Sequence, residues 1–134
     1  MQSSIRVLLV HRSEDPWGKF TWALKALGLT PCQARNCDEA GQLITELGPE
    51  VVFSESELPD GNWQSVLHMA EQAEQPVKVI VVGKHDDTEL YQSAMQQGAH
   101  DFIAPPAAAH DLTHILILRS AIDDALRRSV KSVD

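Results

Sequence analysis

The sequence predicts an α/β fold, a (βα)5 chain whose five strands form an open, doubly wound parallel sheet with helices on both faces, three layers in all. Short apolar runs alternate with amphipathic segments, and three of the four runs are rich in β-branched residues. Continuous apolar strands are buried on both faces, which is typical of parallel sheets. Strict alternation of strands and helices favours the doubly wound arrangement. We expect one domain over residues 5–128 and a C-terminal tail or linker over residues 129–134.

Five segments are predicted to be strands. Four are the apolar runs, and a weaker one contains Pro31. Because proline has no N–H to donate to a neighbouring strand, Pro31 favours an edge position in the sheet. The predicted strands cover residues 7–10, 30–34, 51–53, 77–82 and 102–104.

Helices are predicted between these strands from their caps. Asp15-Pro16 fits an N-cap followed by proline at the first helical position. Asn36, with Glu39 three residues later, forms a capping-box pattern, and Asn62 can cap a third helix. The other two helices are predicted over residues 87–97 and 110–128.

The composition excludes several classes of partner. The chain has 134 residues, 19 acidic and 11 basic, and a net charge of −8. An acidic surface repels nucleic-acid phosphates and anionic membranes, so we expect neither as a partner. No apolar run reaches about 18 residues, and we expect no membrane-spanning helix. Cys32 and Cys37 lie outside zinc and redox spacings; two reduced thiols are typical of a cytoplasmic protein, and we expect that location.

Two segments resemble the response-regulator receiver domains. The first, residues 51–61, is an apolar run that reaches a carboxylate, Glu55, followed four residues later by Pro-Asp-Gly. The second, residues 97–106, matches the Gly-Ala-x-Asp-Tyr/Phe-hydrophobic-x-Lys-Pro block of that family at all but the Lys. The resemblance extends over about residues 6–127. It implies a flavodoxin-like fold and a role in two-component or phosphorelay signal transduction.

Receiver chemistry, as the resemblance implies it, needs five groups in one pocket. Two acidic residues after the first strand hold Mg²⁺, an Asp after the third accepts the phosphoryl group, and a Ser or Thr and a Lys after the fourth and fifth bind its oxygens. The matching positions here hold His11, Arg12, Glu55, Gly83 and Pro105. We therefore expect a degenerate pseudo-receiver without the phosphoacceptor Asp, with the Mg²⁺ site lost. We expect no other metal or cofactor, no catalytic residue and no enzymatic activity.

Glu55 has two interpretations. Its extra methylene pushes the carboxylate outward, so Glu55 can act as a built-in surrogate of the phosphorylated state. Alternatively, it is an ordinary carboxylate at the pocket rim that pairs with Arg12, and we favour this interpretation because such pairing satisfies a half-buried carboxylate. His11 beside Glu55 suggests a transition-metal site, but two ligands are too few for one.

The resemblance implies a signalling surface formed by the fourth helix, fifth strand and fifth helix. Phe102 matches the aromatic switch position of the family on the fifth strand. Because Gly83 lacks the hydroxyl that moves this ring in the family, we expect Phe102 to pack statically.

The fifth helix carries two adjacent apolar stripes. A single packed face does not need so wide an apolar surface. We expect the first stripe to face the core and the second to form a contact surface for a protein partner or a second copy of the chain. The alternative, which the stripes favour about equally, is one broad core contact with small residues near the surface. The first stripe is Leu112, Ile115, Leu116 and Ile122, and the second is Ile117, Leu118, Ala121 and Ala125.

The sequence therefore favours a phosphorylation-independent protein-interaction module, including dimerisation, to which an output domain can be attached. Three alternatives stay open: a receiver that is still phosphorylated, a receiver in which Glu55 mimics the phosphorylated state, and a flavodoxin-like small-ligand-binding domain. The last is disfavoured because the segment 11–16 is acidic and ends in proline, whereas a flavin site needs a Ser-, Thr- and Gly-rich loop there. A hydrolase is disfavoured because no nucleophile–base pair follows the strands.

Overall fold

The computed structural model describes residues 5–14, 17–84, 87–104 and 111–131. Five strands alternate with five helices. The strands are β1 Val7–Val10, β2 Cys32–Ala34, β3 Val51–Glu55, β4 Lys78–Val82 and β5 Asp101–Ile103. The helices are α1 Trp17–Ala26, α2 Cys37–Leu47, α3 Trp63–Glu71, α4 Thr88–Gln96 and α5 Asp111–Lys131. A small antiparallel hairpin that the sequence did not predict pairs Glu57–Leu58 with Gly61–Asn62 before α3.

The five strands form one parallel sheet in the order β2-β1-β3-β4-β5. The predicted doubly wound α/β fold is therefore confirmed. The strand predicted over residues 30–34 lies at the edge of the sheet, as expected. It begins at Cys32, so Pro31 precedes it. The order reverses between β1 and β3, where Val10 pairs with Ser54. The carboxyl ends of these strands consequently lie side by side, at the place where open α/β sheets build their functional sites.

Two hydrophobic clusters cover the two faces of the sheet. Alternate residues of each strand point to opposite faces, so Leu8 and Val10 pack with α2, α3 and α4 while Val7 and Leu9 pack with α1 and α5. All four residues of β1 are buried. This two-sided burial explains why the strands read as continuous apolar runs in the sequence.

Side-chain caps fix where the helices begin. Asn36 accepts a hydrogen bond from the N–H of Glu39 at 2.8 Å, and the Glu39 carboxylate accepts one from the N–H of Arg35. Asn62 likewise caps α3. Both predicted caps are confirmed, whereas the predicted Asp15-Pro16 cap lies outside the described residues. These side chains accept hydrogen bonds from N–H groups of the first helical turn that have no partner within the helix, so each helix can begin close to the sheet.

The prediction for the two stripes of α5 is correct for Ile115 and Ile122, which lie in or against the core, and wrong for other members of both stripes. Leu118, Ala121 and Ala125, expected on a contact surface, are buried in the cluster shared with α1. Leu112 and Leu116, expected in the core, are 64% and 56% exposed. Of the predicted contact residues, the half-buried Ile117 alone stays partly accessible among the described side chains.

His114 explains the difference. Its side chain is 2% exposed, and its ring lies 5.9 Å from that of Phe20 in α1. A buried residue at 114 places Leu118, Ala121 and Ala125 below it on the same helix face, at i+4, i+7 and i+11. The side of α5 that faces α1 therefore begins with a histidine, which a pattern of apolar residues cannot reveal.

No helix in the described part of the chain is both long enough and apolar enough to cross a lipid bilayer.

Truncation of the two leucines should separate the buried face of α5 from the exposed one. Leu118→Ala should lower the free energy of unfolding by about 2–5 kcal/mol, because it leaves a cavity against α1. Leu116→Ala, the matched control two residues earlier on the opposite side of the helix, should change it by no more than about 0.5 kcal/mol. Urea unfolding followed by circular dichroism measures both. Equal losses would contradict this orientation of α5.

Candidate functional site

The carboxylate of Glu55 holds the loop after β1 against the end of β3. Its Oε1 accepts hydrogen bonds from the backbone N–H of Arg12 at 2.8 Å and of Ser13 at 3.2 Å. Its Oε2 accepts one from the hydroxyl of Ser13 at 2.6 Å. Both carboxylate oxygens are thus engaged by residues of one loop. Hydrogen bonds to a charged acceptor are short and strong, so this contact orders the loop that leads into α1.

The expected side-chain pair between Glu55 and Arg12 is not formed. Arg12 contributes its backbone N–H, and its side chain is exposed. Among the described residues, ion pairs join His100 to Asp124 and Arg119 to Asp123. The pairing of β1 with β3 brings the amides of the loop next to the carboxylate, so the guanidinium can remain in water without leaving a buried charge unpaired.

His11 is buried beneath this loop rather than directed into a pocket. It is 6% exposed and stacks on Trp17, with ring centroids 4.9 Å apart and planes within 4°. Its Nδ1 lies 2.9 Å from the carbonyl oxygen of Ser13, and its Nε2 lies 2.8 Å from Oε1 of Gln33. Both ring nitrogens are engaged within the protein, which argues against His11 as a metal ligand. Within the described ranges, no three His, Cys, Asp or Glu side chains form a cluster suited to a metal ion.

Gly83 lies at the end of β4, where the ring of Phe102 occupies the neighbouring space. A Cβ atom on Gly83 would lie 2.9 Å from Cε2 and Cζ of Phe102 and 2.9 Å from Cδ2 of Leu90. The Phe102 ring also contacts Tyr91 edge-on, with centroids 5.7 Å apart. The half-buried aromatic ring is thus packed against the position where the family carries a hydroxyl. Pro105, the fifth predicted pocket position, lies outside the described residues.

The carboxylate of Asp60 forms a contact that sequence reasoning missed. It accepts hydrogen bonds from the backbone N–H of Cys37 at 2.7 Å and of Asp38 at 3.1 Å, at the start of α2. The bond from the Cys37 N–H is the main reason that the pKa of Asp60 is lowered. Burial, followed by the nearby Asp60, raises the pKa of the Cys37 thiol. The partners are 23 residues apart in the chain, so a Pro-Asp-Gly turn gives no local sign of them.

The surface formed by α4, β5 and α5 carries most of the exposed large apolar side chains. Tyr91 and Met95 on α4 are 48% and 39% exposed, and Leu112 and Leu116 on α5 are more so. An open groove of about 760 Å³ runs between β5 and α5, with Asp101 at its edge. The predicted signalling face is therefore apolar, but its exposed residues differ from those that the sequence suggested.

Comparison with known proteins identifies one family profile. That of the response regulator receiver domain matches residues 7–117. The DNA-binding transcriptional regulator NtrC of Escherichia coli is 30% identical over 84 residues, which are 63% of this chain and 18% of that protein. The swarming motility regulation protein RssB of Serratia marcescens is 28% identical over 108 residues, 81% of this chain and 49% of that protein. The chain thus matches between about a fifth and about half of the length of these relatives.

Solved structures share the fold over nearly the whole chain. A signal receiver domain from Vibrio parahaemolyticus superposes with a TM-score of 0.80 at 23% identity, covering 98% of this chain and 97% of that one. NtrX from Brucella abortus gives a TM-score of 0.79 at 23% identity, covering 98% of this chain and 30% of that one. At these identities the likeness shows the fold alone.

Adding a methyl group at position 83 should disturb the packing of Phe102. Gly83→Ala should lower the free energy of unfolding by about 1–3 kcal/mol, because the new Cβ overlaps with three side-chain atoms. Gly18→Ala is the control, since nothing lies within 4 Å of a Cβ there. In a Phe102→Leu background, Gly83→Ala should lower the free energy of unfolding by less. A double-mutant cycle measured by urea unfolding tests this. Strict additivity would mean that the ring is not the obstacle.

The Asp60 cap should make stability depend on pH. Its folded-state pKa lies below the ordinary value of about 3.9, so the ionised cap stabilises the fold above about pH 4. That stability is lost as the pH falls through the lowered pKa. Asp60→Asn should therefore be less stable than the wild type at pH 7, with a difference that shrinks below about pH 4. Urea titrations at several pH values measure it, with the exposed Glu57→Gln as control; a difference independent of pH would contradict it.

Proposed function

The chain belongs to the response regulator receiver domain family, and from this we propose that it is a receiver that signals without phosphorylation. It acts in two-component or phosphorelay signal transduction as a protein-interaction module, not as an enzyme. The setting we propose is the cytoplasm, which rests on the family and on the two free thiols, Cys32 and Cys37.

The contact between Glu55 and the loop after β1 carries this proposal. A phosphoacceptor must present a free carboxylate oxygen to the phosphodonor, next to a cation that neutralises the transferring group. In this chain the carboxylate has one methylene more than the family's Asp, and both its oxygens are hydrogen-bonded to Arg12 and Ser13. The segment that would hold the metal is bound to the acceptor position instead.

The remaining pocket residues support the same conclusion. Arg12 stays positively charged at any physiological pH and would repel Mg²⁺. Gly83 offers no hydroxyl, and the Phe102 ring fills the space beside it. Pro105 has neither an ammonium group nor a backbone N–H. A single loss can be compensated by a neighbouring group, whereas simultaneous loss of metal ligands, acceptor, hydroxyl and ammonium leaves no group to stabilise the transferring phosphoryl charge.

The surface of α4, β5 and α5 supports the interaction role. An apolar patch exposed on a monomer and rimmed by charge is typical of a contact surface. Tyr91 and Met95 lie on one side of this patch, and Leu112 and Leu116 on the other, with Arg119 and Asp123 at its rim. We propose that a protein partner or a second copy binds there. NtrC is named as a DNA-binding regulator and is much longer than this chain, so an attached output domain fits; the net charge of −8 disfavours direct DNA binding.

A second candidate is a receiver held permanently in its signalling state by Glu55. The observation that favours it is the closure of the loop on the Glu55 carboxylate, since a negatively charged group at the end of β3 gathers the loop amides around it. The two candidates differ in what Glu55→Gln does. If Glu55 is structural, this change weakens the fold by about 1–2 kcal/mol and leaves partner binding intact. If Glu55 is a surrogate, the fold is weakened to the same extent and partner binding is lost as well.

Treatment with acetyl phosphate and Mg²⁺ should leave the protein unmodified. We expect unchanged intact mass and an unchanged sedimentation profile, because the pocket lacks the groups that bind metal and phosphoryl oxygens. Beryllofluoride should likewise cause no shift in amide spectra. Glu55→Asp, which restores the family residue alone, should remain inert because the other positions are unchanged.

A receiver with an intact pocket is the positive control for the reagents. A phosphoryl adduct on Glu55, or a saturable Mg²⁺-dependent spectral shift, would overturn the proposal. Leu112→Glu combined with Leu116→Glu should in addition weaken contacts through the α4–β5–α5 surface, whereas Gln72→Glu combined with Gln75→Glu, exposed and matched in charge, should not.

A further inference from the structure

Helix α1 exposes an indole ring between two lysines. Trp22 is 50% exposed, whereas the other two tryptophans, Trp17 and Trp63, are buried. Lys19 and Lys25 are exposed three residues before and after it, so they flank the ring on both sides. Helix α1 contains no acidic residue, and among the described residues neither lysine pairs with a carboxylate. This face of α1 is therefore apolar at its centre and positively charged at its edges.

Gly18 gives a second indication that the face meets another surface. It is exposed on α1 one turn before Trp22, with no positive φ and nothing within 4 Å of a Cβ. Neither backbone conformation nor packing within the monomer calls for glycine there, and glycine weakens a helix relative to alanine. Its effect is to leave the space beside the indole ring open, which permits close approach by another backbone.

The opposite face of the molecule carries a groove of matching character. It lies beside α2, has a volume of about 380 Å³, and includes Gly41, Thr45 and Met69 in its lining. Asp38 and Glu46 stand at its two ends, eight residues apart on α2 or about 12 Å along the axis. Both are exposed, and the described residues offer them no cationic partner. Helix α2 contains acidic residues and no basic ones.

From this complementarity we propose that Trp22 of one copy docks into the groove beside α2 of a second copy, with Lys19 and Lys25 paired to Asp38 and Glu46. The two lysines lie about 9 Å apart along α1, a span that their flexible side chains extend to reach both carboxylates. An exposed aromatic residue seated in a groove and rimmed by opposite charges is the usual arrangement of an interaction hot spot.

The position of the two surfaces determines the kind of assembly. Helix α1 packs on one face of the sheet and α2 on the other, so the α1 face of a molecule cannot reach its own groove. Each copy therefore offers one donor surface and one acceptor surface, and the contact is heterologous. Such contacts build head-to-tail chains unless the rotation closes into a ring. The inference does not rest on the function proposed above, which uses the α4–β5–α5 surface.

Sedimentation velocity over a range of micromolar to millimolar protein tests the proposal. The wild type should show a weight-average mass that rises with concentration beyond that of a dimer. Trp22→Ala should weaken the association about tenfold or more, as expected for the loss of a central aromatic contact. Gln75→Ala, which truncates an exposed side chain outside both this contact and the α4–β5–α5 surface, is the control and should leave the association unchanged.

A charge exchange makes the test specific to the pairing. Lys19→Glu with Lys25→Glu, and separately Asp38→Lys with Glu46→Lys, should each lose this head-to-tail association on their own. A mixture of the two double variants should associate again, because every contact between unlike copies then joins opposite charges. The proposal is overturned if the wild type stays monomeric throughout, if Trp22→Ala associates like the wild type, or if the folded double variants do not associate when mixed. Circular dichroism verifies the fold of each variant.

Discussion

Burial of the sheet on both faces is the constraint on which the other features of this chain depend. Because the central strands β1, β3 and β4 have no solvent-exposed face, helices must cover the sheet on two sides, and a parallel arrangement then follows from the alternation of strand and helix. The order β2-β1-β3-β4-β5 places the reversal of winding between β1 and β3. Whatever residues follow these two strands are therefore brought together, irrespective of their chemistry. Here they are His11, Arg12 and Glu55, which the fold brings to one shared location.

The Glu55 contact shows how one extra methylene changes what this location does. A carboxylate in the gap between two strand ends must be solvated, bound to a cation or hydrogen-bonded. The longer side chain reaches the amides of residues 12 and 13, so the protein supplies the donors itself. His11, stacked on Trp17 and hydrogen-bonded to the carbonyl of Ser13, holds the same loop from below. The loop is thus fixed from two sides by hydrogen bonds to Glu55 and His11.

Much of the fold was predictable from the sequence because it rests on local signals. Apolar runs gave the strands, and Asn36 and Asn62 gave two helix starts, since each cap acts within three residues. Features that depend on distant partners were missed or misassigned. The Asp60 cap joins residues 23 apart, and the rotation of α5 depends on the burial of His114 against α1. Residue identity located Glu55 correctly, but only the strand register decides whether it meets a guanidinium or backbone amides.

The changes at the pocket positions are physically linked rather than independent. In the function proposed above, the residues after β1 bind no cation, so a positive charge at Arg12 does not harm the site. Such a receiver needs no hydroxyl at position 83 either, and the glycine there leaves room for the ring of Phe102, which contacts Tyr91 edge-on. That packing ties β5 to α4. The position of the Phe102 ring opposes a return to a hydroxyl side chain at position 83, because any Cβ there must displace the ring. Close packing around the Phe102 ring therefore connects the pocket positions to the α4–β5–α5 surface. In the family, a hydroxyl that moves this ring makes the connection.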